Sequence, residues 1–373
     1  MKSKRHSADY YLLFAIFTLL GIGILMVFSA TAMENVKDPY YYLKRQVLFS
    51  IVGLGVLVWT MNLDYRRLKR YSWYAFPVAT FFLLLVLGTA GVKGSKSWLP
   101  LGSFGFQPSE LVKPAIALML AKILSAKGDK VSKLEGLAPA LLVIGFFCGL
   151  IMLQPDLGTT MVIAVSSMII LMIGGASFLH LGILSSLGGA AVLFYALTNR
   201  VRYLRIFGFL NREHDPLGIN FQLTQSLFAV GSGGLLGVGL GQSHQKLGYL
   251  PEHHNDFIFA IIAEELGFVG AFFVMALFAI LVYRGYKVAK ETQDPFGSLL
   301  AAGITTFIMI EAMMNIAVVI GAMPVTGITL PLISYGGSSL LFKLFGLGML
   351  LSVSRYTKPQ VQVTVSKEMV GMN

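Results

Sequence analysis

The sequence predicts an all-α membrane protein: a polytopic bundle of about ten transmembrane helices, with a large extracytoplasmic loop between the seventh and eighth. Of the 373 residues, 55% are hydrophobic and only 13% are charged, whereas an ordinary soluble domain carries about 25% charged residues. The apolar residues also form long runs, such as 10–28, 47–59 and 74–87. A membrane β-barrel would instead show short alternating segments, so helices are expected.

Ten apolar segments are long enough to cross a bilayer, since a span needs about 20 residues and somewhat fewer when its ends snorkel. A short helical hairpin is expected where only 174–177 separate two spans. No repeat or linker divides the chain, so we expect one membrane domain over 1–373. The predicted spans are 10–30, 46–62, 73–91, 108–124, 137–153, 158–174, 178–197, 256–284, 298–321 and 338–354.

The distribution of Lys and Arg predicts that both termini are cytoplasmic. With that orientation the cytoplasmic segments hold 17 of the 29 Lys and Arg residues, and the short outer loops hold five. Positive charge concentrates on the cytoplasmic side of membrane proteins, and long loops weigh little in this rule. The net charge of +11 is therefore explained by anchoring beside anionic lipid, and no nucleic-acid partner is expected.

Two further features fit a retained membrane protein. The first apolar run is too long for a cleavable signal peptide and lacks a small-residue cleavage site, so it is interpreted as an anchor. The single cysteine, Cys148, lies inside an apolar run and can form no disulfide within the chain.

The predicted outer loop, 199–255, is long enough to suggest a functional role. Its first part carries Arg200, Arg202 and Arg205 near the outer surface. Its middle is apolar and Gly-rich, which suggests a re-entrant or interfacial segment. The run 231–241 could cradle a phosphate, but no strand precedes it and no Lys-Ser/Thr follows. Close packing against other helices is therefore preferred.

An aspartate, Asp256, ends this loop where it enters the eighth span, a few residues after Glu252. Asp256 could be an ordinary helix N-cap. It could equally be a carboxylate at the outer mouth of the bundle, where a lipid-linked substrate would place its sugar. The adjacent His253 and His254 are expected to be solvated loop residues, since neighbouring residues rarely ligate one metal ion.

Charged residues inside spans are costly and usually face the bundle interior or a wet cavity. Glu110 and Lys113 follow Gln107 and share one face of the fourth span. They could form a structural ion pair, or they could line the pathway of a substrate. Gln154 and Asp156, at the next outer turn, have the same two interpretations. The sequence assigns no partners to four further buried charges: Glu264, Glu265, Glu311 and Lys343.

The segment 324–339 is rich in Pro, Gly and Ser, which predicts a shaped, non-helical outer segment that leads into the tenth span. Ser334 and Ser338 lie in it. Small residues that open a helix leave backbone N–H groups free to bind a phosphate, although helix capping would also explain the serines.

Taken together and in this order, these motifs resemble the SEDS family of membrane proteins, which comprises FtsW, RodA and SpoVE. The resemblance covers nearly the whole chain, and Gly239–Ser243 with Gln245–Lys246 is closer to the FtsW/SpoVE branch. The motifs that carry it are Phe106–Glu110, Gln154–Asp156, Phe209–Asn211, Asp215–Gly218, Phe221–Gln222 with Gln225–Ser226, Leu250–Glu252 through Glu264–Gly267, and Pro324–Ser339.

The resemblance implies a peptidoglycan glycosyltransferase of the bacterial cytoplasmic membrane, active in division, elongation or sporulation. Family members polymerise lipid II, a disaccharide-pentapeptide on undecaprenyl pyrophosphate. They work with a class B penicillin-binding protein that crosslinks the peptides, among other divisome or elongasome proteins. The family's essential loop aspartate corresponds to Asp256.

This chemistry is an inverting displacement that needs one base for the acceptor hydroxyl, and we assign Asp256 to that role. The departing pyrophosphate needs cations or helix N-termini. Candidates are Arg202, Arg205, Lys246 and Lys113, supported by Ser334–Ser339. Mg²⁺ or Mn²⁺ could share the task, although no ligand set is evident, and no cofactor is otherwise expected. The remaining substrate-binding candidates are Gln107, Glu110, Gln154, Asp156, Glu252, Ser334 and Ser338.

Two other classes of function remain open. Buried charges, broken helices and Gly-rich segments also suit a transporter that flips lipid II. Against transport, the sequence shows no paired halves with matching interrupted spans. The third class is a scaffold that only holds a transpeptidase in place.

Overall fold

A computed structural model describes residues 6–32, 38–89, 97–101, 104–198, 200–211, 215, 218 and 220–357. Within these residues the protein is almost entirely helical, as predicted. The helices are α1 (Tyr10–Thr31), α2 (Tyr41–Asn62), α3 (Tyr65–Tyr71), α4 (Ala75–Leu87), α5 (Pro108–Lys127), α6 (Leu134–Met152), α7 (Leu157–Ile173), α8 (Phe178–Leu197), α9 (Arg200–Leu210), α10 (Phe221–Ser232), α11 (Ile258–Glu291), α12 (Pro295–Val319) and α13 (Gly337–Ser354).

Short elements join some of these helices. A 3₁₀ turn, Ser72–Tyr74, joins α3 to α4, and a second, Gly128–Ser132, follows α5. Strands β1 (Leu99–Leu101) and β2 (Phe104–Phe106) form an antiparallel hairpin before α5, with Leu99 opposite Phe106. The sequence did not predict this hairpin, since each strand has only three residues.

Eight helices of the described chain are long and apolar enough to cross a membrane, when α3, the turn after it and α4 are counted as one helix over Tyr65–Leu87. This confirms a polytopic membrane protein, while ten crossings remain a prediction. Helix α7 is short at 17 residues. Helix α5 has 20 residues but carries Glu110, Lys113, Lys122 and Lys127, which lower its mean hydropathy.

Acidic and hydroxyl side chains fix where several helices begin. Asp9, Asp64, Asp156, Ser177 and Asp294 each accept a backbone N–H of the first helical turn. These side chains satisfy N–H groups that have no partner inside a helix. The sixth and seventh predicted spans therefore meet at a short turn closed by Ser177, as expected for a helical hairpin.

Helices α12 and α13 form the centre of the bundle. In each, 78% of the most apolar 18-residue window is buried, compared with 6% in α8. Helix α12 contacts α5, α7, α11 and α13. Charged residues on α12 and its neighbours are thus removed from lipid and must find partners within the protein.

The predicted 199–255 loop contains two helices, α9 and α10, and its residues from 233 onward form a series of turns and irregular chain. Helix α10 packs along α11, and the glycines after it fit tightly there. A Cβ atom on Gly233 would lie 1.9 Å from the Ala263 carbonyl oxygen, and one on Gly237 would lie 2.2 Å from that of Glu265. Close packing of the Gly-rich run is confirmed.

Candidate active site

Asp256 lies half-buried in the turn that precedes α11. Helix α11 begins at Ile258 and its cap residue is Phe257, so the N-cap interpretation of Asp256 is wrong. The Asn315 side-chain amide, on α12, donates to the Asp256 carbonyl oxygen at 2.7 Å and to the Ile328 carbonyl oxygen at 2.7 Å. Asn315 therefore joins the Asp256 turn to the segment before α13.

The Asp256 carboxylate faces Gly327 of that segment. A Cβ atom on Gly327 would lie 3.5 Å from Asp256 Oδ2, and Gly327 has a φ of +72°. On the other side, Gly158 at the start of α7 packs against Thr326, because a Cβ there would lie 2.4 Å from the Thr326 carbonyl oxygen. The turn at 326–327 thus lies between Asp256 and the N-terminus of α7.

Asp156 caps that terminus of α7. Its carboxylate accepts from the Thr159 N–H at 2.9 Å and from the Thr159 hydroxyl at 2.8 Å. Burial raises the pKa of Asp156, and the hydrogen bonds from Thr159 oppose this shift. Asp156 is thus a helix cap beside the 326–327 turn.

Gln154 is buried between helices. Its side chain is 0% exposed, and its amide donates to the Leu83 carbonyl oxygen of α4 at 3.3 Å. These contacts are structural, whatever further role the residue has.

Ser334 holds the segment before α13 against the Asp256 turn. Its hydroxyl donates to the Asn255 carbonyl oxygen at 2.7 Å and accepts from the Leu330 N–H at 2.7 Å. The Tyr335 N–H donates to the His254 carbonyl oxygen at 3.0 Å. Burial raises the pKa of the Tyr335 phenol, while a hydrogen bond with Arg45 opposes the shift.

Glu252 shapes the turn from within, since it has a φ of +55° and accepts from the Asn255 side-chain amide at 2.8 Å. His253 and His254 are 6% and 9% exposed, so the expectation of solvated histidines is wrong. The His253 ring lies 2.9 Å from the Leu250 carbonyl oxygen and 3.1 Å from that of Ala30. The turn is therefore fastened to the end of α1.

Four buried charges form a neutral cluster where α5, α12 and α13 meet. Lys113 Nζ contacts Glu110 at 2.6 Å and also pairs with Glu311. Lys343 Nζ lies 3.3 Å from Glu311 and 3.9 Å from Glu110. The cluster lines a cavity of about 30 Å³, which has room for one or two waters.

This cluster, which we call the charge quartet, reaches the segment before α13. Lys343 Nζ donates to the Ser339 hydroxyl at 2.5 Å and to the Thr329 hydroxyl at 3.2 Å. The Gln107 N–H donates to the Ser338 hydroxyl at 3.2 Å. Sequence spacing predicted the Glu110–Lys113 pair, but Glu311 and Lys343 come from distant helices and could not be assigned.

A second ion pair lies where α11 is broken. Gly267 has a φ of +66° inside α11. The Gly-rich segment after α10 packs against the residues of α11 that precede Gly267. Lys246 Nζ donates to Glu265 at 2.9 Å and to the Ser29 carbonyl oxygen at 3.1 Å. Glu264 accepts from the Ser243 hydroxyl at 2.5 Å.

The two loop arginines lie on α9. Arg205 is exposed there. Arg202 belongs to the same helix, but its side chain lies outside the described residues. Among the residues that the structure describes, no group of three or more His, Cys, Asp or Glu side chains could hold a metal ion.

Known proteins resemble this chain over nearly its full length. The FtsW/RodA/SpoVE family profile, described as "Cell cycle protein", matches residues 10–359. Stage V sporulation protein E of Bacillus subtilis (strain 168) is 43% identical over 365 residues, which is 96% of this chain and 100% of that protein. The probable peptidoglycan glycosyltransferase FtsW of Trichlorobacter lovleyi is 41% identical, and 93% of each chain is covered.

Solved structures agree with the sequence comparison. A chain in the structure of a peptidoglycan synthase complex that coordinates polymerization and crosslinking superposes with a TM-score of 0.78 at 30% identity. The match covers 93% of this chain and 98% of that one. RodA of Thermus thermophilus gives a TM-score of 0.71 at 29% identity, with 94% and 98% covered.

Proposed function

The chain belongs to the FtsW/RodA/SpoVE family of multi-pass membrane proteins, and we propose that it is a peptidoglycan glycosyltransferase. It joins the disaccharide units of lipid II into glycan strands for division, elongation or sporulation. The naming of its relatives as glycosyltransferases supports the activity. The observation within this chain that best supports it is the placement of Asp256. Its side chain faces Gly327 of the segment before α13, and its carbonyl oxygen is joined to that segment through Asn315.

In the proposed reaction Asp256 is the general base. It takes the proton from the acceptor's 4-hydroxyl as the hydroxyl oxygen attacks the anomeric carbon of the donor. The bond from that carbon to pyrophosphate breaks on the opposite face, so the α-linked donor yields a β-1,4 product. Undecaprenyl pyrophosphate is already a good leaving group, and a second carboxylate acting as an acid is not required.

The leaving pyrophosphate requires positive charge. We propose Arg202 and Arg205 of α9 as its ligands, with Lys246 and Lys113 as further candidates. Both lysines already hold carboxylates in the described structure, so each would have to exchange or share its partner. Gln107, Glu110, Gln154, Asp156, Glu252, Ser334 and Ser338 are proposed to shape the substrate site around Asp256.

The setting of the protein is proposed as well. The solved synthase complex couples polymerization to crosslinking, which supports a class B penicillin-binding protein as partner, alongside other divisome or elongasome proteins. We place the single membrane domain in the bacterial cytoplasmic membrane with both termini inside. The Asp256 turn then faces outward, where lipid II presents its sugars.

The test is glycan synthesis by purified protein from labelled lipid II. Asp256→Asn keeps the size of the side chain but removes the base, and a general base contributes about 10²- to 10⁴-fold. We expect glycan synthesis to fall by that factor, with unchanged elution on size-exclusion chromatography. Normal polymerisation by Asp256→Asn would remove the base assignment.

The same reconstitution separates the other two classes of function. A flippase would move lipid II between leaflets without making glycan, and a scaffold would do neither. Parent protein in vesicles is therefore assayed for glycan chains and for translocation of labelled lipid II. We expect the parent protein to make glycan chains.

A further inference from the structure

An apolar groove runs between α4 and α6 on the outside of the bundle. Its volume is about 670 Å³, within the range of about 300–1,000 Å³ that is usual for small-ligand sites. All of its lining residues are apolar, among them Trp73, Phe76 and Leu142. Trp73 is 52% exposed and Leu142 is 74% exposed, so the groove opens toward the lipid.

The floor of the groove is aromatic and interrupted by a gap. The Phe76 ring packs 5.0 Å from the Phe146 ring and 5.3 Å from the Phe147 ring, measured between centroids. Beside them lies Gly145, and a Cβ atom built there would meet no heavy atom within 4 Å. The missing side chain leaves room for one extended hydrocarbon chain along α6.

Two lysines lie near Trp73: Lys122 contacts its ring, and Lys69 precedes it in the chain by four residues, about one helical turn. Lys122 Nζ, on α5, lies 5.0 Å from the centre of the Trp73 ring, and Lys69 Nζ, on α3, lies 5.7 Å from that of Phe296. Within the described ranges neither forms an ion pair with a carboxylate.

We infer that this groove is a binding site for an anionic phospholipid, whose acyl chain lies over Gly145 and whose phosphate is held by Lys69 and Lys122. The arrangement matches both parts of such a ligand. A hydrocarbon chain fits the apolar lining. An anionic phosphate supplies a partner for two lysines that form no ion pair with a carboxylate within the described ranges. Trp73 marks the level of the headgroups, where tryptophan is enriched in membrane proteins.

Anionic lipid is favoured over zwitterionic lipid by its net charge. A lysine near an anionic membrane surface contributes attraction that corresponds to roughly a five-fold preference. A zwitterionic headgroup carries its own cation and would bring a further positive charge to Lys69 and Lys122. Phospholipid binding at this site is independent of glycosyl transfer and depends only on the groove and its two lysines.

The three tryptophans of the chain allow a direct test by fluorescence. Trp59→Phe with Trp98→Phe leaves Trp73 as the sole reporter in the full-length protein. The protein is placed in phosphatidylcholine vesicles that contain a fixed fraction of chain-brominated lipid, either phosphatidylglycerol or phosphatidylcholine. We expect brominated phosphatidylglycerol to quench Trp73 with roughly five-fold or greater apparent affinity. Equal quenching by the two lipids would overturn the inference.

Charge variants test the headgroup contact. Lys69→Gln with Lys122→Gln should abolish the preference for phosphatidylglycerol. Lys130→Gln, at an exposed lysine in the turn after α5, should keep it and so controls for general attraction to the surface. If the preference survives in the double variant, the phosphate is not held by these two lysines and the proposed site is wrong.

A glycine variant tests the acyl chain. Gly145→Leu places a side chain in the gap without a clash and should lower quenching by both brominated lipids. Gly188→Leu is the matched control, since a Cβ there also meets no heavy atom within 4 Å and no residue of α8 lines the groove. Unchanged quenching in Gly145→Leu would exclude the groove as the chain site. Variants are compared after they elute as the parent does on size exclusion.

Discussion

Asn315 is the residue that fixes the proposed base in space. Its amide donates to two carbonyl oxygens, one in the Asp256 turn and one at Ile328. Asn315 is 1% exposed, so water cannot easily replace either hydrogen bond. Because the two carbonyls belong to segments that are far apart in the chain, losing the amide releases both of them together.

We therefore expect Asn315→Ala to lower both thermal stability and glycan synthesis. Each buried carbonyl left without a donor costs about 1–3 kcal/mol. The measurements are the midpoint of thermal unfolding in detergent and polymerisation of lipid II. Thr305→Val is the control, because the Thr305 hydroxyl, also on α12, bonds only to Ala301 of its own helix. If Asn315→Ala polymerised lipid II as well as Thr305→Val, Asn315 would not position Asp256.

Single residues were predictable from the sequence where a motif carried them. Asp256 was found because it ends the long outer loop at the mouth of a span and corresponds to the essential loop aspartate of the SEDS family. Asn315 was missed, since a lone amide inside an apolar helix has no local signal. Its role arises from two segments that only the folded chain brings to one side of α12.

At the scale of elements, the break in α11 is the main departure from regular structure. Gly267 adopts a left-handed φ, and the Gly-rich segment pairs with the chain just before it. The Val238 N–H donates to the Glu264 carbonyl oxygen at 3.0 Å, and the Gly239 N–H donates to that of Glu265 at 3.1 Å. Lys246 then neutralises Glu265 beside the same break.

We expect Lys246→Met to destabilise this region strongly. Removing one partner of a buried ion pair costs about 3–5 kcal/mol, because the other charge is left unpaired. Adding Glu265→Gln removes that charge and should restore most of the unfolding midpoint. A Lys246→Met variant as stable as the parent would show that the Lys246–Glu265 ion pair does not stabilise this region.

The double variant also decides between the two roles proposed for Lys246. If restored stability comes with restored glycan synthesis, Lys246 acts through the fold. If the stable double variant stays inactive, Lys246 contributes directly to the pyrophosphate.

Sequence patterns predicted the tight packing of the Gly-rich run but not what it packs against. A run of glycines indicates close approach of backbones, and this was confirmed. The break in α11 was not predicted, because Gly267 lies in a long apolar stretch that hydropathy treats as one span. Helices α9 and α10 were also missed, since hydropathy detects crossings and not short packed helices.

At the scale of the whole molecule, the bundle is organised around α12. The charge quartet joins α12 to α5 and α13 with two positive and two negative side chains. Because Glu110 and Lys113 of α5 are paired with opposite charges, they can lie inside the bundle without the free-energy cost of an isolated buried charge. Hydropathy undervalues such a helix because it counts each charge as if it faced lipid, which is why α5 falls below the usual limits for a span.

The orientation of the bundle can be tested with cysteine labelling. Cys148 is the single cysteine, so Cys148→Ser gives a cysteine-free chain. Lys44→Cys, predicted to be outside, and Lys130→Cys, predicted to be inside, then introduce one thiol each at exposed positions. In intact cells we expect a membrane-impermeant maleimide to label Lys44→Cys only, and to label Lys130→Cys after permeabilisation. The reverse pattern would invert the topology.

The pairing of the Gly-rich segment with α11 also constrains how the protein enters the membrane. The N–H groups of Val238 and Gly239 emerge from the ribosome before their acceptors, Glu264 and Glu265, have been made. Unpaired backbone groups cost several kcal/mol each in hydrocarbon. We therefore expect the Gly-rich segment to remain at the membrane surface, where water can satisfy its N–H groups, until the first half of α11 has been synthesised.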